Sequence, residues 1–329
     1  MKKNSSHLLY LIFLFFGIMI SISSNNWLGC WMGIEMNMIS FLPIMANKMS
    51  IYASESMIKY FIIQSMGSSL LLMAIILNMM IDSNYMIMIS LMIKIGCPPF
   101  HFWYVSVIEG LSWMVCFVLM TVQKIIPLVI LSYLNVNMSL FIIMACIWGC
   151  IGGLGYSSMR KIIAYSSIYN LSWIFSGIMI INYSWLIYYT IYSFTLMAVC
   201  YAFDLFNINY INQFVMVSMN FMKSIMMMCI FMSMGGLPPF LGFFPKLIMI
   251  YCLLLNNMVF ICTILLMTAL IVLFFYLRIV ITTLMMNTIS MKMITTKSSY
   301  SYYIAGVFSL FGMVFLSLIS LSLCKDNMM

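Results

Sequence analysis

Apolar residues run along this chain in blocks of about twenty, parted by short polar stretches. A helix needs about 20 residues to cross the hydrocarbon core of a bilayer. The pattern predicts membrane-spanning helices at 7–23, 27–46, 56–80, 85–104, 112–134, 138–156, 161–181, 184–206, 221–254, 258–284 and 300–324. The ninth block is too long for one straight helix, and the fourth runs into a connector over 98–110.

Both of these blocks are broken by the same pattern, Gly-x-Pro-Pro-Phe, which starts at Gly96 and again at Gly236. Two prolines remove backbone donors, and the residue before the first is pushed out of the α region. Broken backbone at membrane depth persists only where protein or a water-filled cavity satisfies it. Interrupted apolar segments at corresponding places in two halves point to an ion path. Each break also has a lysine beside it, Lys94 before the first and Lys246 after the second.

Composition removes the soluble alternatives. With 65% hydrophobic and 6% charged residues and a mean hydropathy of +1.14, the chain belongs to the polytopic membrane class, as an all-α protein of about 11 transmembrane helices. The net charge of +8 is scattered between apolar blocks, which argues against nucleic acid as a partner. Most of the ten cysteines lie inside apolar blocks without metal-ligand spacing, and the only histidines are His7 and His101, so no metal, haem or iron–sulfur site is expected. The apolar N-terminal block lacks a clear cleavage site and is read as a first span; nothing there resembles a transit peptide. Gly149-x-x-Gly152-Gly153-x-Gly155 falls in a predicted span and is read as close helix packing, not as a phosphate loop.

Charge also orients the chain. With eleven spans, Lys2, Lys3, Lys48, Lys59, Arg160, Lys161, Lys223, Arg278, Lys292 and Lys297 fall on the side of the N-terminus, and Lys325 falls opposite. Such a bias places the N-terminus on the cytoplasmic or matrix side. Lys94, Lys124 and Lys246 fall on neither side and, with Glu35, form an intramembrane ionisable set. Ionisable groups at that depth are expensive and are functional by default. Desolvation drives such a group toward its neutral form and an opposite charge drives it back, the tension that proton handling requires. His101 is a candidate relay member or a polar anchor. Glu55, Asp82 and Glu109 sit at span ends; Asp204 closes the eighth block. No nucleophile–base pair and no paired carboxylates of a hydrolase emerge.

Several stretches together resemble a known family. They are Ser24-Asn-Asn-Trp-Leu-Gly-Cys-Trp-Met-Gly-Ile-Glu-Met-Asn, Glu55-Ser-Met-Ile-Lys-Tyr-Phe, Lys94-Ile-Gly-Cys-Pro-Pro-Phe-His-Phe-Trp, Gln123-Lys-Ile-Ile-Pro, Arg160-Lys-Ile-Ile-Ala-Tyr-Ser-Ser-Ile and Gly235-Gly-Leu-Pro-Pro-Phe-Leu-Gly-Phe-Phe-Pro-Lys. In this order they resemble the subunit 2 family of mitochondrial NADH dehydrogenase, the antiporter-like membrane-arm subunit of respiratory complex I. Cys97-Pro98 departs from the commoner pair of small residues, and the end after about 285 matches poorly.

The resemblance implies one membrane domain over 1–329, built of two inverted five-helix repeats at 7–134 and 138–284 with a last helix at 300–324. It implies proton translocation coupled to NADH:ubiquinone oxidoreduction, with Glu35 as the charged partner of Lys94, Lys124 as the connecting lysine and Lys246 in the exit half. It implies no cofactor on this chain: NADH, FMN, iron–sulfur clusters and ubiquinone are bound by other subunits. Partners would be other complex I subunits, especially neighbouring antiporter-like and small membrane-arm subunits, together with lipid. The mitochondrial inner membrane would hold the chain with its N-terminus in the matrix and its C-terminus in the intermembrane space. Two alternatives stand beside it: a stand-alone cation/proton antiporter, which would share the breaks and lysines but call for more buried carboxylates than Glu35, and a purely structural scaffold, which would need neither central lysines nor helix breaks.

Overall fold

A computed structural model describes residues 5–46, 50–78, 83–134, 136–180, 183–216, 221–285, 302, 306, 307 and 309. Among these residues the chain is helical, with a single isolated bridge pairing Ser158 and Tyr210. The helices are α1 (Ser5–Ser23), α2 (Trp27–Met45), α3 (Ile51–Asn78), α4 (Asn84–Ile95), α5 (Phe102–Gly110), α6 (Trp113–Met120), α7 (Val122–Tyr133), α8 (Ser139–Leu154), α9 (Met159–Met179), α10 (Ser184–Phe206), α11 (Gln213–Met216), α12 (Phe221–Gly235), α13 (Phe243–Leu255) and α14 (Val259–Met285). Six helical stretches are long and apolar enough to cross a membrane, and five shorter apolar helices accompany them. The expected last span at 300–324 lies almost wholly outside the described residues.

The chain divides into two compact units, residues 1–144 and 145–329, and the division falls inside α8. In the first unit α1 pairs with α2, while α3 packs along α4 and α5. Large apolar side chains on α1, among them Leu8, Phe15, Phe16 and Met19, face outward, as a surface solvated by hydrocarbon requires. In the second unit α9 is buried along nearly its whole length and contacts α10 and α13, and α12 runs beside α14. Gly149, Gly152 and Gly153 lie in α8, where Gly149 approaches the backbone of Tyr169 in α9, and Gly155 lies just past the helix end with nothing near it.

The two Pro-Pro breaks close alike. α4 ends at Gly96, which takes the left-handed conformation (φ 76°) and donates to Met92 O and Ile93 O, while Cys97 N also donates to Met92 O. α12 ends at Gly236 (φ 75°), which donates to Met232 O and Ser233 O, with Leu237 N reaching Met232 O. Both are αL caps of the Schellman kind, which glycine adopts without the Cβ penalty. The chain resumes as α5 and α13, so the ninth block is two half-helices as expected.

The fifth block departs from its expected continuity. It is interrupted at Thr121 (φ −116°, ψ −81°), between α6 and α7. Pro127 offers no N–H to the Gln123 carbonyl, and its ring crowds the turn before it. The distortion sits just upstream: Lys124 N bonds Thr121 O at 2.8 Å, an i−3 bond, and Thr121 Oγ1 bonds Phe117 O at 2.7 Å.

A methyl group on Gly236 would be strained in the left-handed region and would lie 2.8 Å from Lys246 Nζ. Gly236→Ala should therefore destabilise the protein by about 1–2 kcal/mol. Gly235→Ala, where the nearest atom is Tyr276 Cδ2 at 3.7 Å, should change stability by less than about 0.5 kcal/mol. Thermal unfolding of the two variants in detergent tests this pair; equal midpoints would remove the turn's dependence on glycine.

Candidate functional site

All three intramembrane lysines are buried: Lys94, Lys124 and Lys246 are 5%, 2% and 8% exposed. Snorkelling to an interface is thereby excluded for each. The two units hold them differently.

In the first unit, Lys94 lies in the last turn of α4, and its stem runs against α3 where Gly67 leaves room; a Cβ there would come within 2.9 Å of Lys94 Cγ. The break leaves α4 with carbonyls that lack intrahelical donors. Trp103 Nε1 donates to Ile93 O at 3.1 Å, and Gln64 Nε2 donates to Lys94 O at 3.0 Å. The lysine backbone is thus fixed from two neighbouring helices. Its ammonium is not: Lys94 Nζ is buried with no hydrogen-bond partner among the described residues.

Lys94 opens onto a cavity of about 20 Å³, room for about one water. Lys124 lines the same cavity, as do Asn37, Tyr60, Gln64, Tyr104 and Gln123. Lys124 sits in the first turn of α7, just past the interruption, with Nζ 4.5 Å from the centre of the Tyr104 ring, a cation–π distance. A chain of amides crosses the wall: Tyr60 Oη donates to Gln123 Oε1 at 3.2 Å, and Gln123 Nε2 donates to Asn37 Oδ1 at 3.0 Å. It joins α3, α7 and α2 beside the two amines.

Glu35, on α2, is half-buried and acts electrostatically on both Lys94 and Tyr60. It forms no ion pair with Lys94; Lys59 pairs with Glu55 at 2.5 Å elsewhere in the first unit, an exposed pair one turn apart. Glu35 is also absent from the cavity wall, where its neighbours Ile34, Asn37 and Met38 stand. His101 is buried at the head of α5 with its ring 4.3 Å from that of Phe102, and it too stands outside this wall.

In the second unit, Lys246 lies in the first turn of α13, and its Nζ donates to Gly235 O at 2.8 Å, the final carbonyl of α12. A cation at a helix C-terminus meets the negative end of the dipole. The Tyr169 ring centre is 5.9 Å away. A second cavity of about 20 Å³ adjoins Lys246, lined also by Asn170, Tyr188, Tyr192, Thr195 and Ser233.

Reading the sequence for charges missed the neutral polar residues that build both walls. A helical spacing was present for one pair: Tyr60 and Gln64 are four apart on α3. Lys223, read as an end charge, proves buried at 6% exposure in the first turn of α12.

Comparison with known proteins follows the same lines. Residues 24–84 and 77–272 match the transmembrane family NADH:quinone oxidoreductase/Mrp antiporter. The chain is 43% identical over 281 residues to NADH-ubiquinone oxidoreductase chain 2 of Anopheles gambiae, covering 80% of this chain and 81% of the relative. It is 41% identical over 274 residues to the protein of the same name from Locusta migratoria, covering 78% and 79%. Among solved structures it is similar to a chain of respiratory complex I from Thermus thermophilus with bound aureothin, at TM-score 0.85 and 15% identity, over 95% of this chain and 79% of that one. It is also similar to a chain of the Mrp complex from Dietzia sp. DQ12-45-1b, at TM-score 0.74 and 14% identity, over 82% and 59%.

Gln64 supplies the donor for the Lys94 carbonyl, so its loss leaves a buried acceptor unmet. Gln64→Met, close in shape, should cost about 1–3 kcal/mol. Ser65→Ala, on the exposed side of the same helix, should stay within about 0.5 kcal/mol. Thermal midpoints of the two variants decide it, and a silent Gln64→Met would mean that the carbonyl is met by other means.

Proposed function

Because the chain belongs to the NADH:quinone oxidoreductase/Mrp antiporter family, among the NADH-ubiquinone oxidoreductase chain 2 proteins, we propose a proton-handling role for its buried lysines. The chain is a core membrane-arm subunit of proton-pumping NADH:ubiquinone oxidoreductase, complex I. It works within an oxidoreductase whose redox chemistry lies on other subunits. The chain 2 relatives come from animals, and the inner mitochondrial membrane, with the N-terminus in the matrix, is the setting that the positive-inside bias favours.

One observation carries the role: Lys94 is buried without a fixed acceptor, beside a cavity for one water that Lys124 also lines. A lysine locked in an ion pair would hold its proton as structure. An ammonium that opens onto a water-sized cavity with amides in its wall can hand the proton on. Glu35 is the tuning charge. Two unit charges 4–8 Å apart at an effective dielectric of about 20 interact by about 2–4 kcal/mol. Movement of charge near Glu35 then changes whether Lys94 keeps its proton, which is electrostatic coupling without direct contact. Lys246 serves the second unit, and His101 is a candidate relay at the head of α5. The likeness to an Mrp chain concerns fold alone, and a stand-alone cation antiporter is disfavoured by the identity to chain 2 proteins over four-fifths of the chain.

Lys94→Met keeps the volume of the stem and removes the amine. It should leave the complex assembled, as judged by a native gel stained for NADH oxidation, and should lower the protons pumped per electron in the assembled enzyme. Unchanged pumping per electron in that variant would sink the role.

A further inference from the structure

The cavity beside Lys246 has a direction built into its hydrogen bonds. Asn170 Nδ2 donates to Ser166 O at 2.9 Å, and a carbonyl can only accept. The amide orientation is therefore fixed, and Oδ1 is the end that faces Tyr188. Tyr188 Oη must then donate to it, at 2.7 Å. Two more cavity hydroxyls behave alike: Thr195 Oγ1 donates to Tyr192 O at 2.9 Å and Ser233 Oγ donates to Ile230 O at 2.6 Å. Each spends its proton on the protein and keeps its lone pairs. The cavity wall thus holds hydroxyl acceptors together with an ammonium of three donors, of which one is used on Gly235 O.

One water fits this space. Its two hydrogens match the acceptors, which leaves its lone pair for a Lys246 N–H. We infer that Tyr188, oriented by Asn170, positions the water that accepts a hydrogen bond from Lys246 and so sets how readily that lysine exchanges its proton, with a neutral acceptor set in the second unit where the first has the Glu35 charge. The amide of Asn170 cannot pass a proton on, so both side chains are positioning residues: the bonds run from Lys246 to water, to Tyr188, to Asn170 and to the Ser166 carbonyl. The inference rests on the proposed role of Lys246.

The test is made in the assembled complex. Tyr188→Phe keeps the ring, which stacks on Trp173 at 6.2 Å between centres with 10° between planes, and removes the hydroxyl. Asn170→Leu removes the group that orients it. At equal amounts of assembled enzyme each should lower NADH-driven proton pumping about fivefold, the effect of one neutral hydrogen bond. The double variant should be no worse than either single one, because both act on one water. A merely structural role would instead reduce the amount assembled and leave pumping per assembled complex unchanged. If one variant fails to assemble, the other decides by the same readout. Full pumping in Tyr188→Phe, or multiplying effects in the double variant, overturns the inference. Lys246→Met separates the two failures: if it cuts pumping while Tyr188→Phe does not, the positioning idea alone falls; if it pumps fully, the role of Lys246 falls with it.

Discussion

At membrane depth a carbonyl freed by a helix break finds no bulk water, so the protein must bring a donor to it. The ends of α4 and α12 meet this demand by different means. At α4, Gln64 and Trp103 reach in from neighbouring helices, and the lysine side chain is left over. At α12, the lysine is itself the donor to Gly235 O. Two breaks with the same Gly-x-Pro-Pro-Phe pattern and the same left-handed glycine thereby produce two amines in opposite conditions, one without a fixed acceptor and one held at a helix terminus.

That difference extends outward from the breaks. Freed from capping duty, Lys94 depends on what lines its cavity, and the wall there is a run of amides with a carboxylate acting from outside it. Lys246 already has one bond, and its cavity presents hydroxyl oxygens. Buried polar walls of this kind persist only when nearly every group is satisfied, since a half-satisfied network is worse than an apolar core. Asn37, Gln123 and Tyr60 in one unit, and Ser166, Asn170 and Tyr188 in the other, bond chiefly to one another and to backbone. They hold their oxygens in place, so each cavity keeps a prearranged polar surface.

Much of this was legible in the chain. The apolar blocks located α2, α8, α9, α10 and α14 to within about five residues, because bilayer thickness sets the period. The Pro-Pro breaks were plain, since no straight helix accommodates them, and the three lysines stood out because little else in a span is charged. The interruption at Thr121 was not seen: its cause, Pro127, lies six residues on, and a proline within a span does not announce which turn will yield. Asn37, Gln64, Gln123, Asn170 and Tyr188 were missed because single polar residues are common in membrane helices. Only the packing of α2, α3, α4 and α7 in one unit, and of α9 with α10 in the other, gives them partners. Glu35 was legible as a charge, but its lack of contact with Lys94 depends on side-chain placement that no spacing rule supplies.

The same reasoning explains why the architecture is shared where the sequence is not. At 15% identity to a complex I chain the fold still superposes over 95% of this one. A bilayer accepts any apolar residue on the lipid face, so most of α1 or α14 is free to vary. Few positions escape that freedom: a glycine where φ is positive, a proline where the helix must stop, an amine where the break opens, and a donor for each freed carbonyl. The last requirement is the least specific in residue type, since glutamine, tryptophan and lysine all meet it here. The choice of donor is where one member can hold its lysine free and another can tie it down without any change of fold.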